Sequence, residues 1–198
     1  MIILVRHGQT AANARGLLQG RADLELSELG RAQAESLAGA LADSGAVRVV
    51  SSPLRRAIQT ATPIADVLGC DVEIEPELIE LDYGTWDGRS LTDVSAADWG
   101  RWRSDPLFAP PGGETLAAVR ARVDGWLRHE LAGSAPIVAV SHVSPIKAAV
   151  CAALGVDDAT TWRMHLDVAS ISRLARRRGS VVLASFNETP TAGVGVQH

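Results

Sequence analysis

Three segments of the sequence place histidine or arginine side chains just after apolar runs that are typical of buried strands. Arg6 and His7 follow the first of these runs, Arg56 lies shortly after the second, and His142 follows a later one. In a parallel sheet the carboxyl ends of the strands meet at one edge, where ligands bind. We therefore expect these four side chains to lie close together.

The chemistry that this set favours is phosphoryl transfer. Arginine binds tetrahedral oxyanions bidentately, so Arg6 and Arg56 are candidate ligands of a phosphoryl group. A histidine held among arginines is hard to protonate, and the free imidazole nitrogen of His7 can then attack phosphorus to form a phosphohistidine. An acid must protonate the leaving oxygen, and Glu80 is the first candidate, with Asp82 as the second.

Capping residues indicate where the helices that position these groups begin. Ser27 is expected to cap a helix with apolar residues on one face. Ser52 is expected as the N-cap of the next helix, with Pro53 as its first residue. Ser144 and Pro145 repeat this pattern later in the chain. Helix N-termini at these places would add backbone N–H donors and positive dipole ends to the site.

The alternation of strands and helices predicts an α/β fold, and residues 170–177 and 181–186 are expected to form a hairpin. We expect a three-layer sandwich in which helices flank a mostly parallel central sheet. Residues 1–198 are expected to form a single domain. Within it, residues 85–112 would be an insertion that roofs the site, and residues 189–198 a loose tail.

The composition narrows the class of protein. The chain has 198 residues, a formal net charge of −4 and 46% hydrophobic residues, which suits one globular domain and speaks against a nucleic-acid binder. No apolar run is long enough for a membrane span, and the N-terminus does not resemble a leader, so we expect a cytoplasmic protein. Cys70 and Cys151 are far apart, which argues against a disulfide or a zinc site. Because Lys147 is the only lysine, any anion site is expected to consist of guanidinium groups.

Taken in order along the chain, these segments resemble the histidine phosphatase superfamily, in its phosphoglycerate-mutase-like branch. The resemblance covers nearly the whole chain, and its fold is the three-layer one expected above. It is carried by Arg-His-Gly at 6–8, Asn13, Gln-Gly at 19–20, Leu-Ser-Glu-Leu-Gly at 26–30, Ser-Pro-Leu-Arg-Arg-Ala at 52–57, Glu-Leu-Asp-Tyr-Gly at 80–84, Gly-Gly-Glu-Thr at 112–115 and Ser-His at 141–142.

The resemblance implies a role for each matching residue. His7 would be the nucleophile that becomes phosphorylated, and Glu80 the proton donor that then activates water. Arg6, Arg56 and His142 would bind the phosphoryl group. The family needs no metal and no cofactor, so none is expected here.

Three further positions are implied to contact the phosphate. Asn13 and Gln19 match residues that line the phosphate pocket. The second histidine of the family is commonly followed by glycine, whereas Val143 stands here; its backbone N–H can still donate. This variant, together with residues 165–170, is similar to the α-ribazole-phosphatase-like subgroup. That subgroup includes actinobacterial proteins fused to a ribonuclease H domain, a partner that we do not expect within these 198 residues.

The activity expected from the resemblance is hydrolysis of a small-molecule phosphomonoester, with α-ribazole phosphate, a sugar phosphate or a phosphoglycerate as substrate. The related mutases carry a longer insertion than residues 85–112, and a shorter roof should admit water to the phosphohistidine. The alternatives are a phosphoglycerate mutase and a non-catalytic protein that binds a phosphorylated ligand. The sequence does not decide whether the protein forms a homodimer. It also leaves open whether Asp82 shares the role of proton donor with Glu80.

Four apolar side chains of the roof and one further histidine are secondary candidates for contact with a substrate. Within residues 99–108, Trp99, Trp102, Leu107 and Phe108 either form an apolar lid over the substrate or only pack the roof onto the domain. His165 has no place at a strand end, and we expect a structural role for it.

Overall fold

The computed structural model of the protein describes residues 1–190, and its centre is one sheet of six strands. The strands are β1 (Ile2–Arg6), β2 (Arg48–Ser51), β3 (Val72–Ile74), β4 (Ile137–Ser141), β5 (Ile171–Arg177) and β6 (Ser180–Glu188). They lie side by side in the order β3-β2-β4-β1-β5-β6. The first four in that order run parallel, and the predicted hairpin β5–β6 joins β1 in the antiparallel direction.

Helices cover both faces of the sheet, which confirms the predicted three-layer α/β arrangement. The helices are α1 (Ala11–Ala14), α2 (Glu28–Leu41), α3 (Arg55–Leu68), α4 (Ala96–Ser104), α5 (Leu116–Ala132) and α6 (Val143–Leu154). Side chains of a strand alternate between its faces. In β1, Ile3 and Val5 accordingly pack with α2 and α3, while Ile2 and Leu4 pack with α5 and α6. None of the helices in residues 1–190 is long and apolar enough to cross a membrane.

The start of α3 differs from the prediction. The helix begins at Arg55 with Leu54 as its N-cap, so the expected cap at Ser52 with Pro53 as first residue was wrong. The Ser52 hydroxyl lies 2.7 Å from His142 Nε2. The N–H of Arg55 at the helix N-terminus donates instead to Asp23 Oδ1, at 2.6 Å. A side chain distant in sequence thus accepts from the first N–H of α3.

The start of α2 follows the prediction, whereas that of α6 lies two residues early. The Ser27 hydroxyl accepts a hydrogen bond from Gly30 N at 3.1 Å, as expected of an N-cap. Helix α6 begins at Val143 with His142 as its N-cap, two residues before the expected first residue Pro145, so the expected cap at Ser144 was wrong. His142 is therefore the single residue between the end of β4 at Ser141 and the start of α6 at Val143.

A close backbone contact fixes the segment after β1 against α2. A Cβ on Gly30 would lie 2.1 Å from Gln9 O, and one on Gly8 would lie 2.5 Å from Gly30 O. Real side chains do not tolerate such distances, so these two glycines allow the chain that follows His7 to rest directly on the first turn of α2.

The Gly30→Ala change is expected to lower the free energy of unfolding by about 1–3 kcal/mol, because the added methyl meets backbone atoms that cannot move aside. The matched control is Gly39→Ala in the same helix, where a Cβ would meet nothing within 4 Å. The control should raise stability by roughly 0.5–1 kcal/mol through helix propensity. Urea unfolding measures both changes; equal effects would contradict the contact.

The predicted roof of residues 85–112 contains α4 and short 3₁₀ turns at Gly84–Trp86 and Leu91–Asp93. Trp86 and Trp102 are buried, and their rings lie 5.5 Å apart in an edge-to-face contact. Of the predicted tail at 189–198, residues 191–198 lie outside the part of the chain that the structure describes.

Candidate active site

The carboxyl ends of β1 and β4 bring the predicted site residues together. Arg6 and Ser141 are paired in the parallel register of these strands. The next residues follow side by side: His7 N donates to Ser141 O at 3.1 Å, and the rings of His7 and His142 are 5.0 Å apart. These residues therefore lie close together, as expected from their positions at the carboxyl ends of neighbouring parallel strands.

The His7 imidazole is held in a defined tautomer. Its Nδ1 lies 2.7 Å from Gly8 O, and because a carbonyl oxygen only accepts, Nδ1 carries the proton. Burial, followed by the charges of Arg56 and Arg6, holds the pKa of His7 well below its ordinary value. The ring is thus neutral at pH 7 and keeps a lone pair on Nε2, which is the state that a nitrogen nucleophile requires.

Arg56 and His142 form a hydrogen-bonded layer behind His7. Arg56 is fully buried; its Nε donates to His142 Nδ1 at 3.2 Å, and its terminal nitrogens donate to Gly20 O at 2.7 Å and Ala22 O at 2.8 Å. Because His142 Nδ1 accepts, its proton lies on Nε2, which faces the hydroxyl of Ser52. Burial and the charge of Arg56 lower the pKa of His142.

The lowered pKa values of the two histidines predict loss of stability in acid. The unfolded chain protonates each histidine near pH 6.5, whereas the folded chain resists this. The unfolded state therefore binds more protons below about pH 6.5, and the free energy of unfolding should fall there by up to about 1.4 kcal/mol per pH unit for each histidine. Urea unfolding between pH 7 and pH 5.5 measures this slope. His7→Asn should lower this slope by the contribution of one histidine, and the exposed control His129→Asn should leave it unaltered. An unchanged slope in His7→Asn would contradict the conclusion that His7 resists protonation in the folded state.

Glu80 lies against the N-terminus of α6. Only 3% of the residue is exposed. Its Oε1 accepts from Leu81 N at 2.7 Å and Ser144 N at 3.2 Å, and its Oε2 accepts from Val143 N at 3.1 Å. The carboxyl group is thereby fixed at the wall of the cavity that His7 also lines. The Val143 N–H, predicted to face a phosphate, donates to Glu80 in this structure.

Arg6, Asn13 and Gln19 line the cavity on the side of His7. A terminal nitrogen of Arg6 donates to Leu166 O at 2.6 Å, and burial lowers the pKa of this guanidinium. The Thr10 hydroxyl lies 2.6 Å from Gln19 Oε1. Within residues 1–190, the buried Gln19 Nε2 and Arg6 Nε have no hydrogen-bond partner. These unpaired donors suit a ligand that brings acceptor oxygens.

Two charged neighbours of the predicted site residues have other partners. Asp82 accepts from Gly84 N at 2.8 Å and lies 3.5 Å from Arg21 in an ion pair, outside the cavity lining. Arg55 is exposed and pairs with Glu25 at 2.9 Å. Their positions favour a structural role for Asp82 and a solvated one for Arg55.

The cavity has a volume of about 350 Å³, and its far wall is aromatic. Trp99 and Trp102 stack at 5.4 Å between ring centres, and Trp162 meets Trp102 edge-on at 4.9 Å. The hypothesis of an apolar lid thus fits Trp99 and Trp102, which line the cavity. It was wrong for Leu107, which is 71% exposed, and for Phe108, which packs beneath Arg101.

Three lining residues were missed or misjudged from the sequence. Trp162 comes from a 3₁₀ turn at Asp158–Arg163 that no pattern indicated. Lys147 lines the cavity, so the cationic side chains there are not guanidinium groups alone. The helical spacing of four residues from Val143 was a signal for it. His165, expected to be structural, lies at the cavity with a side chain 80% exposed and its Nε2 2.9 Å from Asp167.

The described part of the chain contains no group of three or more His, Cys, Asp or Glu side chains arranged to hold a metal ion.

Comparison with known proteins agrees with this geometry. Residues 2–189 match the histidine phosphatase superfamily (branch 1). The chain is 37% identical to phosphoserine phosphatase 1 of Hydrogenobacter thermophilus over 197 residues, which is 95% of this chain and 92% of that protein. It is 38% identical over 177 residues to a bifunctional protein of Mycobacterium tuberculosis, with 86% of this chain covered.

The alignment covers 49% of the mycobacterial protein, so the chain spans about half the length of that relative. Among solved structures, a phosphoserine phosphatase variant of Entamoeba histolytica in complex with phosphoserine superposes with a TM-score of 0.87 and 28% identity. That superposition covers 95% of this chain and 96% of the other.

Proposed function

This chain belongs to the histidine phosphatase superfamily (branch 1), and from that premise we propose that it is a metal-independent phosphomonoesterase acting through a phosphohistidine on His7. The observation that carries the proposal is the state of His7. Its imidazole is neutral, its Nδ1 proton is held by Gly8 O, and its other nitrogen is left with a lone pair beside Arg6.

In the first half-reaction, His7 Nε2 attacks phosphorus and the bond from phosphorus to the ester oxygen breaks. Glu80 gives its proton to that oxygen, so the product leaves as a neutral alcohol. The charge that spreads over the phosphoryl oxygens is stabilised by Arg6 and Arg56, which remain cationic at neutral pH.

In the second half-reaction, the Glu80 carboxylate takes a proton from water. The resulting hydroxide attacks phosphorus and the bond from phosphorus to nitrogen breaks. Inorganic phosphate leaves, while His7 and Glu80 return to their initial states. Three backbone N–H groups fix the carboxyl group of Glu80 at the cavity wall, so the same group is in position for both steps.

The phosphoryl group would bind first to donors that already line the cavity. Arg6, Asn13 and Gln19 meet this condition, and the unpaired amide nitrogen of Gln19 supports it. Arg56 and His142 would contribute from behind His7, and Val143 would do so through its backbone N–H. For these three residues, the hydrogen bonds they make in this structure must be shared or exchanged when the ligand enters.

The substrate class supported by the comparisons is a small phosphorylated metabolite, since relatives are named for phosphoserine. A phosphoglycerate, a sugar phosphate and α-ribazole phosphate are the candidates within that class. Hydrolysis is preferred to a mutase reaction because the roof of residues 85–112 is shorter than the insertion of the related mutases.

The test is release of phosphate, in excess chelator, from p-nitrophenyl phosphate, 3-phosphoglycerate, sugar phosphates and α-ribazole phosphate. Turnover of at least one ester in chelator is the expected result. If 3-phosphoglycerate is converted to its isomer faster than phosphate is released, the protein is a mutase and not a phosphatase. If the esters bind but neither reaction occurs, the protein is a non-catalytic protein that binds a phosphorylated ligand.

A further inference from the structure

Lys147 contributes a cationic side chain to the cavity. It is half-buried on α6 and lines the same cavity as His7. Within residues 1–190 it makes neither a hydrogen bond nor an ion pair. Burial, followed by the charge of Arg6, lowers the pKa of its ammonium group, and the charge of Glu80 only partly opposes this. An anion beside this ammonium group would offset the cost of its burial.

Within residues 1–190, no acidic side chain forms an ion pair with Lys147. Glu80 is the only acidic residue among the described residues that line the cavity; its charge acts on the ammonium group, but its two oxygens already accept hydrogen bonds from three backbone N–H groups. The aromatic side chains that also line the cavity, Trp99, Trp102 and Trp162, offer no negative charge. An anion for Lys147 must therefore arrive with the ligand.

The position of Lys147 separates this anion from the phosphoryl group. Val143 opens α6 beside Glu80, and Lys147 follows four residues later on the same helical face. Four residues advance a helix by about 6 Å. A ligand whose phosphoryl group lies at the helix N-terminus would thus present its second negative group roughly one helical turn further into the cavity.

We propose that Lys147 determines the substrate specificity of this site by binding a carboxylate on the alcohol part of the phosphomonoester. The substrate class is then a compact phosphorylated hydroxy or amino acid whose carbon chain packs on the tryptophan wall. This inference rests on the proposed phosphatase function. A single ammonium beside an apolar wall suits a carboxylate better than a second phosphate, which proteins bind with arginine forks and several donors.

The test compares two esters that differ only at the group in question. 3-Phosphoglycerate carries a carboxylate where glycerol 3-phosphate carries a CH₂OH group. The wild type should prefer 3-phosphoglycerate in kcat/KM by at least about tenfold, the usual scale for a hydrogen bond to a charged group. In Lys147→Met this preference should fall to near unity, mainly through a higher KM for 3-phosphoglycerate. Lys147→Arg should retain part of it, and the exposed control Arg176→Met should retain all of it.

Three results would overturn the inference. The first is that Lys147→Met keeps the preference for 3-phosphoglycerate. The second is that kcat/KM falls by the same factor for both esters in Lys147→Met, which would place the ammonium group on the phosphoryl group. The third is that the wild type shows no preference. In each case, turnover of p-nitrophenyl phosphate would show that the phosphatase function stands. If the wild type hydrolyses no ester at all, the proposed function fails, and this inference fails with it. Lys147→Gln serves as a second variant if Lys147→Met does not fold.

Discussion

Replacing His7 by asparagine is expected to lower kcat for phosphate release by at least about 10³-fold, the scale seen when a covalent nucleophile is removed. Asparagine preserves a polar group beside Gly8 but has no nitrogen lone pair able to attack phosphorus. Phosphate binding should persist, because Arg6 and Gln19 remain in the cavity lining. The loss should therefore appear in kcat and not as a comparable increase in KM.

The matched control is His129→Asn, which makes the same change at an exposed position in the last turn of α5. Its turnover should stay within a factor of two of the wild type. Thermal unfolding of both variants separates loss of chemistry from loss of structure. A folded His7→Asn protein that keeps a tenth or more of wild-type kcat would remove His7 from the proposed mechanism.

Replacing Glu80 by glutamine is expected to slow the first half-reaction in proportion to how much the leaving group needs a proton. For an alkyl phosphate, the rate of alcohol release in the first turnover should fall by about 10²–10⁴-fold, the range for general acid catalysis. For p-nitrophenyl phosphate, whose phenolate leaves without a proton, it should fall by less than about tenfold. Rapid-mixing measurement of alcohol and nitrophenolate release distinguishes the two.

The control for this change is Glu77→Gln, three residues earlier on the same segment and exposed. It should leave both rates unaltered. Equal losses on the alkyl and nitrophenyl esters in Glu80→Gln would assign Glu80 to binding or positioning and would leave the proton donor to another group.

The part of the site that the sequence predicted is the part that strand geometry controls. In a parallel sheet, residues at the ends of neighbouring strands are adjacent whatever lies between them in the chain. The sequence alone therefore predicted that Arg6, His7 and His142 lie close together. The pairing of Arg6 with Ser141 in the register of β1 and β4 agrees with this prediction. The apolar face of α5 was also predictable, since its buried residues repeat at helical spacing: Leu116, Val119, Val123, Trp126 and Leu127.

The parts that could not be predicted depend on contacts between distant segments. The first N–H of α3 donates to Asp23, which lies 32 residues before Arg55, so the local signal from Ser52 was misleading. Trp162 reaches the cavity because a turn after α6 packs against the tryptophans of the roof. No local pattern encodes either contact. Lys147 is the exception, because helical spacing from Val143 was sufficient to place it.

The phosphohistidine is the central claim, and trapping it is the most direct test. The protein is mixed with a ³²P-labelled ester in excess chelator, and the reaction is stopped within the first turnover by alkali, in which phosphohistidine is stable. We predict label on the protein, released by acid, confined to the peptide that contains His7 and missing in His7→Asn. Turnover of the ester with no labelled protein at any quench time, or with label on another residue, would contradict the mechanism.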